Sequence, residues 1–387
     1  MSIAHLTTPH FIYKAIGKIM KKHLLTTVPA VALGLALASP AGAVKLSIGG
    51  FIDKHFGVGE NDSAYDAGQT DSIDWDVKDD SEILFKASGK LNNGMTVAGR
   101  MELEGGTHIS SDAVDETWLS LSGSFGQIIL GTHDLAGKRL TAGVQGSFLM
   151  GAGPALPYNH GNWISKPSTN STELTAHVET SGDGDGISYM SPRVSGLQFG
   201  IGFAAMSTQD ANGKAVKSGD YDHISGGLNY TTKAGGMSVT AGVGWASAKS
   251  GTAASGDDAM EVGYGVKIKS GPVEVALSMH DRAERATSSQ TAAGSGAETY
   301  EFGIRYTMGG NRFAFVMADS QGDGSHNTAA KDDSSTTYGI SMSRPLGKGA
   351  TWHATYFYAD HDEGTAGSAS SLSNSGYALV TGVKIVF

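Results

Sequence analysis

Three kinds of residue in this chain could do chemistry: acids and histidines that ligate metals, serines that act as nucleophiles, and isolated charges on alternating segments. Asp183-Gly184-Asp185-Gly186 resembles the opening of a calcium loop, which needs oxygen ligands at alternate positions and a bidentate glutamate to close it. No glutamate follows at that spacing, so the stretch reads as a turn. His133, His160 and His177 lack any short ligand spacing, and neither a zinc site nor another cofactor is expected. No serine sits in a nucleophile elbow or beside a placed histidine. An enzyme is therefore not expected.

What remains is charge. Lys86, Arg100, Glu102, Lys267, Arg305 and Lys384 each stand between apolar or small neighbours. Their surroundings alternate. Val239, Ala241, Val243 and Trp245 take one parity and Ser238, Thr240, Gly242 and Gly244 the other. Tyr300, Phe302, Ile304 and Tyr306 alternate in the same way with Glu301, Gly303 and Arg305. A period of two with one apolar face and one polar or small face is a strand between two media. About sixteen such segments can be counted, with cores at 45–57, 81–91, 95–104, 115–122, 127–133, 187–192, 197–206, 221–231, 237–247, 259–269, 273–281, 298–308, 311–319, 335–344, 350–360 and 376–387. Most reach the roughly 9–11 residues that a tilted membrane strand needs.

The connections alternate as well. Asn92-Asn93-Gly94, Ser124-Phe125-Gly126, Gly271-Pro272 and Gly309-Gly310 are short and suit tight hairpins. Segments 248–258, 282–297, 320–334 and 361–375 are long and rich in Ser, Gly, Asp and Thr. Short turns at one end and long loops at the other describe a membrane barrel. A soluble sandwich or adhesin array has no reason to alternate its loop lengths, and its outward faces would be polar. Aromatic residues near strand ends (Tyr230, Trp245, Tyr306, Trp352, Tyr356 and Tyr358) suit the headgroup level. If the apolar parity meets lipid, the six charged residues face a lumen, because an Arg or Lys in lipid at midplane costs about 2–4 kcal/mol.

Residues 24–38 form a short apolar run after Lys21-Lys22-His23 and before Ser39-Pro40-Ala41-Gly42-Ala43. A basic flank, an apolar core and a small-x-small end make a secretory signal. The expectation is a signal peptide over residues 1–43, with Met20 as the working start, cleavage after Ala43, and a barrel domain over 44–387. Removing Lys14, Lys18, Lys21 and Lys22 from the 28 basic residues leaves 24 against 38 acidic ones, a net of −14. That balance argues against nucleic acid as a partner. The absence of cysteine fits an exported chain that does without disulfides.

Val44-Lys45-Leu46-Ser47-Ile48-Gly49-Gly50-Phe51 is similar to the first strand of the general porins of Gram-negative outer membranes. The stretch from Thr117 to Gly131, with its Ser124-Phe125-Gly126 turn, resembles their fourth and fifth strands. The alternating end Val383-Lys384-Ile385-Val386-Phe387 resembles their assembly signal, with Phe387 as its aromatic residue. The resemblance implies an all-β fold: a transmembrane antiparallel barrel of sixteen strands, associating as a homotrimer in the outer membrane. It also implies a long third loop, folded inward to narrow the pore. Here that loop runs from about Asp134 to Gly186, and Pro154, Pro157, Tyr158, Asn159, His160 and Trp163 are the expected constriction residues. Two departures leave selectivity open: no acidic Pro-Glu-Phe-Gly-Gly type motif is present, and Thr132 follows Gly131 where many relatives carry an arginine.

The function implied is passive diffusion of ions and small polar solutes. Lys86 and Arg100 are the leading wall candidates, and a basic wall opposite loop acids or carbonyls would orient dipolar solutes. A substrate-specific channel for sugars, phosphate or carboxylates shares the fold and remains an alternative. An outer-membrane lipase or protease would need fewer strands and a catalytic set at the rim. The expected partners are membrane lipid, lipopolysaccharide, further copies of the chain and small solutes. Asp257, Asp258, Asp332 and Asp333 are candidates for divalent cations shared with lipopolysaccharide.

Overall fold

Lipid on one side and water on the other force the period of two that the sequence displays. Backbone groups in hydrocarbon must also be paired, which only a closed sheet achieves without helices. The computed structural model of the chain describes residues 44–68, 73–105, 114–150, 160–168, 170–172, 174, 177–178, 181–182, 184–207, 220–250, 259–282, 296–322, 332–364 and 373–387. The predicted export signal at 1–43, and Pro154, Pro157, Tyr158 and Asn159, lie outside these residues.

The strands are β1 (Lys45–Asn61), β2 (Trp75–Lys90), β3 (Thr96–Glu104), β4 (Val114–Gly123), β5 (Gly126–Thr132), β6 (Asp185–Met190), β7 (Leu197–Met206) and β8 (Asp220–Ala234). They continue as β9 (Met237–Ser250), β10 (Ala259–Ser270), β11 (Val273–Arg282), β12 (Ala297–Met308), β13 (Asn311–Gly322), β14 (Asp333–Gly347), β15 (Ala350–Asp362) and β16 (Asn374–Val386). Each pairs antiparallel with its neighbours, and β16 returns to β1 to close the barrel. The seam runs from Phe51 opposite Val386 to Asn61 opposite Gly376. Phe387 extends it, exchanging backbone hydrogen bonds with Gly50 at 3.0 and 3.1 Å. Gly309 and Gly310 turn between β12 and β13 with φ of 57° and 84°, the left-handed pair that a two-residue hairpin loop demands.

Register separates the two faces. Tyr300, Leu277 and Tyr264 are exposed on the apolar parity, and the chain of facing rings Phe302, Phe315, Tyr338 and Tyr358 crosses four strands on that side. The opposite parity carries Gly, Ala, Ser and Thr over much of its length, and there Ala276, Ala318, Thr337 and Ala378 are fully buried. The apolar parity therefore faces outward and the small, polar one inward.

The strand starting at Trp75 departs from the expected core at 81–91. Its added residues, Trp75-Asp76-Val77-Lys78-Asp79-Asp80, are mostly charged, and Asp79 pairs with Lys54 on the outward parity. The strand pair continues past the apolar band, where hydrophobic alternation no longer marks it.

Candidate functional site

The described residues of the connection between β5 and β6 bond to side chains on the inward parity. The described helical elements are α1 (Ser63–Gly68), between β1 and β2, and then α2 (Ala136–Thr141) with the 3-10 turns η1 (Ala142–Val144), η2 (Ser147–Met150) and η3 (His160–Asn162).

 Of these elements α1 caps the β1–β2 loop, and the other four lie between β5 and β6. The short length of α2 follows from the sequence, since Gly143 and Gly146 disfavour its continuation.

These elements fasten to the inward parity strand after strand. His133 sits with Nε2 2.9 Å from Ser188 Oγ on β6. The Gly137 N–H donates to Ser225 Oγ at 2.9 Å, and Asn229 Nδ2 donates to the Leu140 carbonyl at 3.0 Å, both on β8. The Ser147 N–H and hydroxyl donate to Glu301 Oε2 on β12 at 3.2 and 3.3 Å, and Ser278 of β11 donates to the same oxygen at 3.2 Å. Ser341 of β14 donates to the Met150 carbonyl at 2.9 Å. Further on, the Ser165 N–H donates to Asn61 Oδ1 at 3.0 Å, and Asn374 Nδ2 donates to the Ser165 carbonyl at 2.7 Å. Each such bond contributes about 1 kcal/mol net, and each buried partner left alone costs more.

Glycines make the room. A Cβ on Gly242 would lie 2.5 Å from the Leu140 carbonyl oxygen, and one on Gly303 would lie 2.5 Å from that of Gly146. Backbone meets backbone at both places, so no larger residue fits without displacing the connection. Two apolar clusters complete the seat. One joins Ile129, Ala136, Leu140 and Met190, with Trp118 against them. The other joins Met150, Ile164, Val316, Phe357 and Val380, with Trp163 against them.

Trp163, expected at the constriction, stacks where a Gly57 side chain would stand, 2.5 Å from that position. Lys78 Nζ lies 5.0 Å from its ring centroid, and the His55 ring lies 6.1 Å away. Beside it His353 Nε2 lies 2.9 Å from Asp53 Oδ1. Lys384, one of the expected wall residues, has Nζ 3.6 Å from Asp53 Oδ2 and 3.5 Å from the Phe51 ring centroid. His160 opens η3.

The inward side of β2 to β4 differs from the rest. Lys86 and Arg100 stand opposite each other in register. Lys86 is exposed although its parity is inward, and among the described residues its ammonium has no ion-pair partner. Asp80, further along the same face, is exposed too. Arg100 is half-buried; it donates to Glu102, and its Nη1 lies 3.5 Å from Glu116 Oε2. Glu102 is 4% exposed. Across the barrel Arg305 Nη2 lies 2.8 Å from Glu274 Oε1, and Lys267 is half-buried on the neighbouring inward face. All six charged residues singled out from the sequence thus fall on the inward parity. They form two groups, one on β2, β3 and β16 and one on β10 and β12.

Asp333 does not face solvent as expected for a cation-binding loop acid. It is fully buried, accepting the N–H groups of Ser171 at 2.7 Å and Gly364 at 2.8 Å. A polar residue ending a strand looks external in sequence; here the connection folds over it. Sequence reasoning also missed Glu301, Asn61 and the inward glycines. Their signal is the glycine repeat at 242 and 244 and at 263 and 265 on one parity, a sign of close backbone approach. Among the described residues no group of three or more His, Asp or Glu side chains is placed to hold a metal ion.

A family model described as Gram-negative porin matches residues 29–364. No curated protein matches. Among solved structures, an anion-selective porin from Comamonas acidovorans is 16% identical, with 89% of this chain and 100% of that one covered at a TM-score of 0.58. OmpF of Salmonella typhi, in complex with daunomycin, is 17% identical, covering 89% and 98% at a TM-score of 0.60. The trimer form of in-vitro folded OmpT from Vibrio cholerae is 11% identical, covering 89% and 100% at 0.56. The structural likeness shows a shared fold.

Proposed function

The chain belongs to the Gram-negative porin family and forms an outer-membrane channel, and on that premise we propose that ions and small hydrophilic solutes diffuse passively along the inward wall of β2 to β4. The observation that carries this reading is the exposure of Lys86 and Asp80 on the inward parity, while Thr337, Phe357 and Ala378 on β14 to β16 are buried. The connection packs against inward faces from β6 round to β1 and leaves that of β2 to water. It acts as the inward-folded loop that narrows the lumen, with Trp163 as its far anchor. Lys86 and Arg100 line the free side, with Glu102 buried behind Arg100, and Lys267, Arg305 and Lys384 line the lumen nearer the short turns.

A homotrimer is the proposed assembly, since OmpT of Vibrio cholerae, which shares this fold, has a trimer form. The outward parity, with Tyr300, Leu277 and Tyr264 exposed, suits lipid, including lipopolysaccharide at the loop end. Conductance of the purified protein in planar bilayers tests the reading. Stepwise ohmic currents in simple salts support it. A solute that saturates the current at low concentration would favour the substrate-specific channel instead.

A further inference from the structure

The basic residues inside the barrel gather toward its turn end. Toward the short turns the inward parity carries Lys86, Lys233, Lys267, Lys269 and Arg305. Toward the long loops it carries Glu82, Glu104, Glu261, Glu301 and Asp333, with Lys78 and Arg282 among them. The basic group is densest on β10 to β12. There Lys269 faces Glu274 in register, and Glu274 faces Arg305. One carboxylate oxygen serves both cations, Glu274 Oε1 lying 3.0 Å from Lys269 Nζ and 2.8 Å from Arg305 Nη2. Lys267 has no ion-pair partner among the described residues, so the group keeps a positive excess. The Arg305 Nε–H is buried and makes no hydrogen bond among the described residues. An unspent guanidinium donor beside an uncompensated ammonium is an arrangement that an oxyanion would complete.

We propose that the turn end of the lumen is a recruiting site for multivalent oxyanions, phosphate- or carboxylate-bearing solutes, held by Lys267, Lys269 and Arg305. The site rests on the channel reading above and gives that channel a polarity. An anion entering from the turns meets its counter-charges first; one entering from the loops passes a mixed set of charges in which Glu261 is paired with Arg282 and Asp333 is buried. Inside a low-dielectric wall such a field is focused rather than dispersed.

The test uses the folded full-length barrel in planar bilayers with inorganic pyrophosphate as the probe. The chain has no cysteine, so a biotin on Ser63→Cys, at the exposed start of the helix between β1 and β2, allows streptavidin to mark the loop side. In dilute KCl, pyrophosphate added on the turn side should reduce the current at a concentration about fivefold lower than on the loop side, and about 1 M KCl should abolish the difference. Lys267→Gln with Lys269→Gln should remove the sidedness, and Lys267→Arg with Lys269→Arg should keep it. Should the double glutamine variant not fold, Lys233→Gln, on the exposed rim, should still weaken the sidedness. Equal block from both sides, or sidedness untouched by the glutamine variants, overturns the site while leaving the channel intact. Absence of any current in the parent protein would instead overturn the channel reading itself.

Discussion

Arg100 donates a hydrogen bond to Glu102, two residues along its own strand, while its second terminal nitrogen lies 3.5 Å from Glu116 on the next strand. The guanidinium is held between two carboxylates. Its register partner Lys86 has no such partner among the described residues and is exposed. Two cations that look equivalent in sequence are therefore unequal in the field they project.

Lys86→Glu should accordingly move the zero-current potential toward cation preference more than Arg100→Glu does. The Debye length of about 8–10 Å at moderate salt is comparable to a narrowed lumen, so an unpaired charge there is poorly screened. Reversal potentials across a salt gradient measure both. A larger shift from Arg100→Glu would assign the governing charge to Arg100 despite its carboxylates.

Gly303→Ala tests the seat of the connection. The new methyl would press on the Gly146 backbone, and overpacking of this kind costs about 1–3 kcal/mol. Thermal unfolding followed by heat-modifiable gel mobility should show a lower midpoint. Gly143→Ala, where a Cβ would meet nothing within 4 Å, should leave the midpoint unchanged.

Glu301 ties η2 to the wall by accepting from Ser147 and Ser278. Glu301→Leu leaves those donors buried without an acceptor, a loss of about 1–3 kcal/mol. Lower thermal stability and noisier single-channel currents are the expected outcome. Glu301→Gln, which keeps an acceptor oxygen, should lie between the parent and the leucine variant.

The strands were legible because lipid dictates their pattern: Tyr300, Phe302 and Ile304 alternate with Glu301, Gly303 and Arg305 in sequence as they do between the two faces of the barrel. The parity of Arg100 was legible for the same reason. Its pairing with Glu116 was not, since that depends on how β3 and β4 register. The early start of β2 at Trp75 escaped notice because Lys54 and Asp79 satisfy each other outside the apolar band. Asp333 was misread because its cover, Ser171, comes from a distant part of the chain. The glycines at 242 and 303 were visible as small residues, but what they make room for lies in the β5–β6 connection.

Processing gives an independent check on the export signal. Protein recovered from the membrane should begin at Val44, after the Ala41-Gly42-Ala43 end of the apolar run. Intact-mass or N-terminal sequencing decides this, and retention of residues 21–43 would contradict it.

The central claim is that solutes pass along the free wall of β2 to β4, and thiol chemistry tests it most directly in a chain without cysteine. Lys86→Cys should react with a small charged methanethiosulfonate added to an open channel, and its current should fall on reaction. Leu277→Cys, exposed on the outward parity, should show no change in current under the same treatment. If Lys86→Cys is fully modified by mass spectrometry and its current does not change, the path runs elsewhere and the account is wrong.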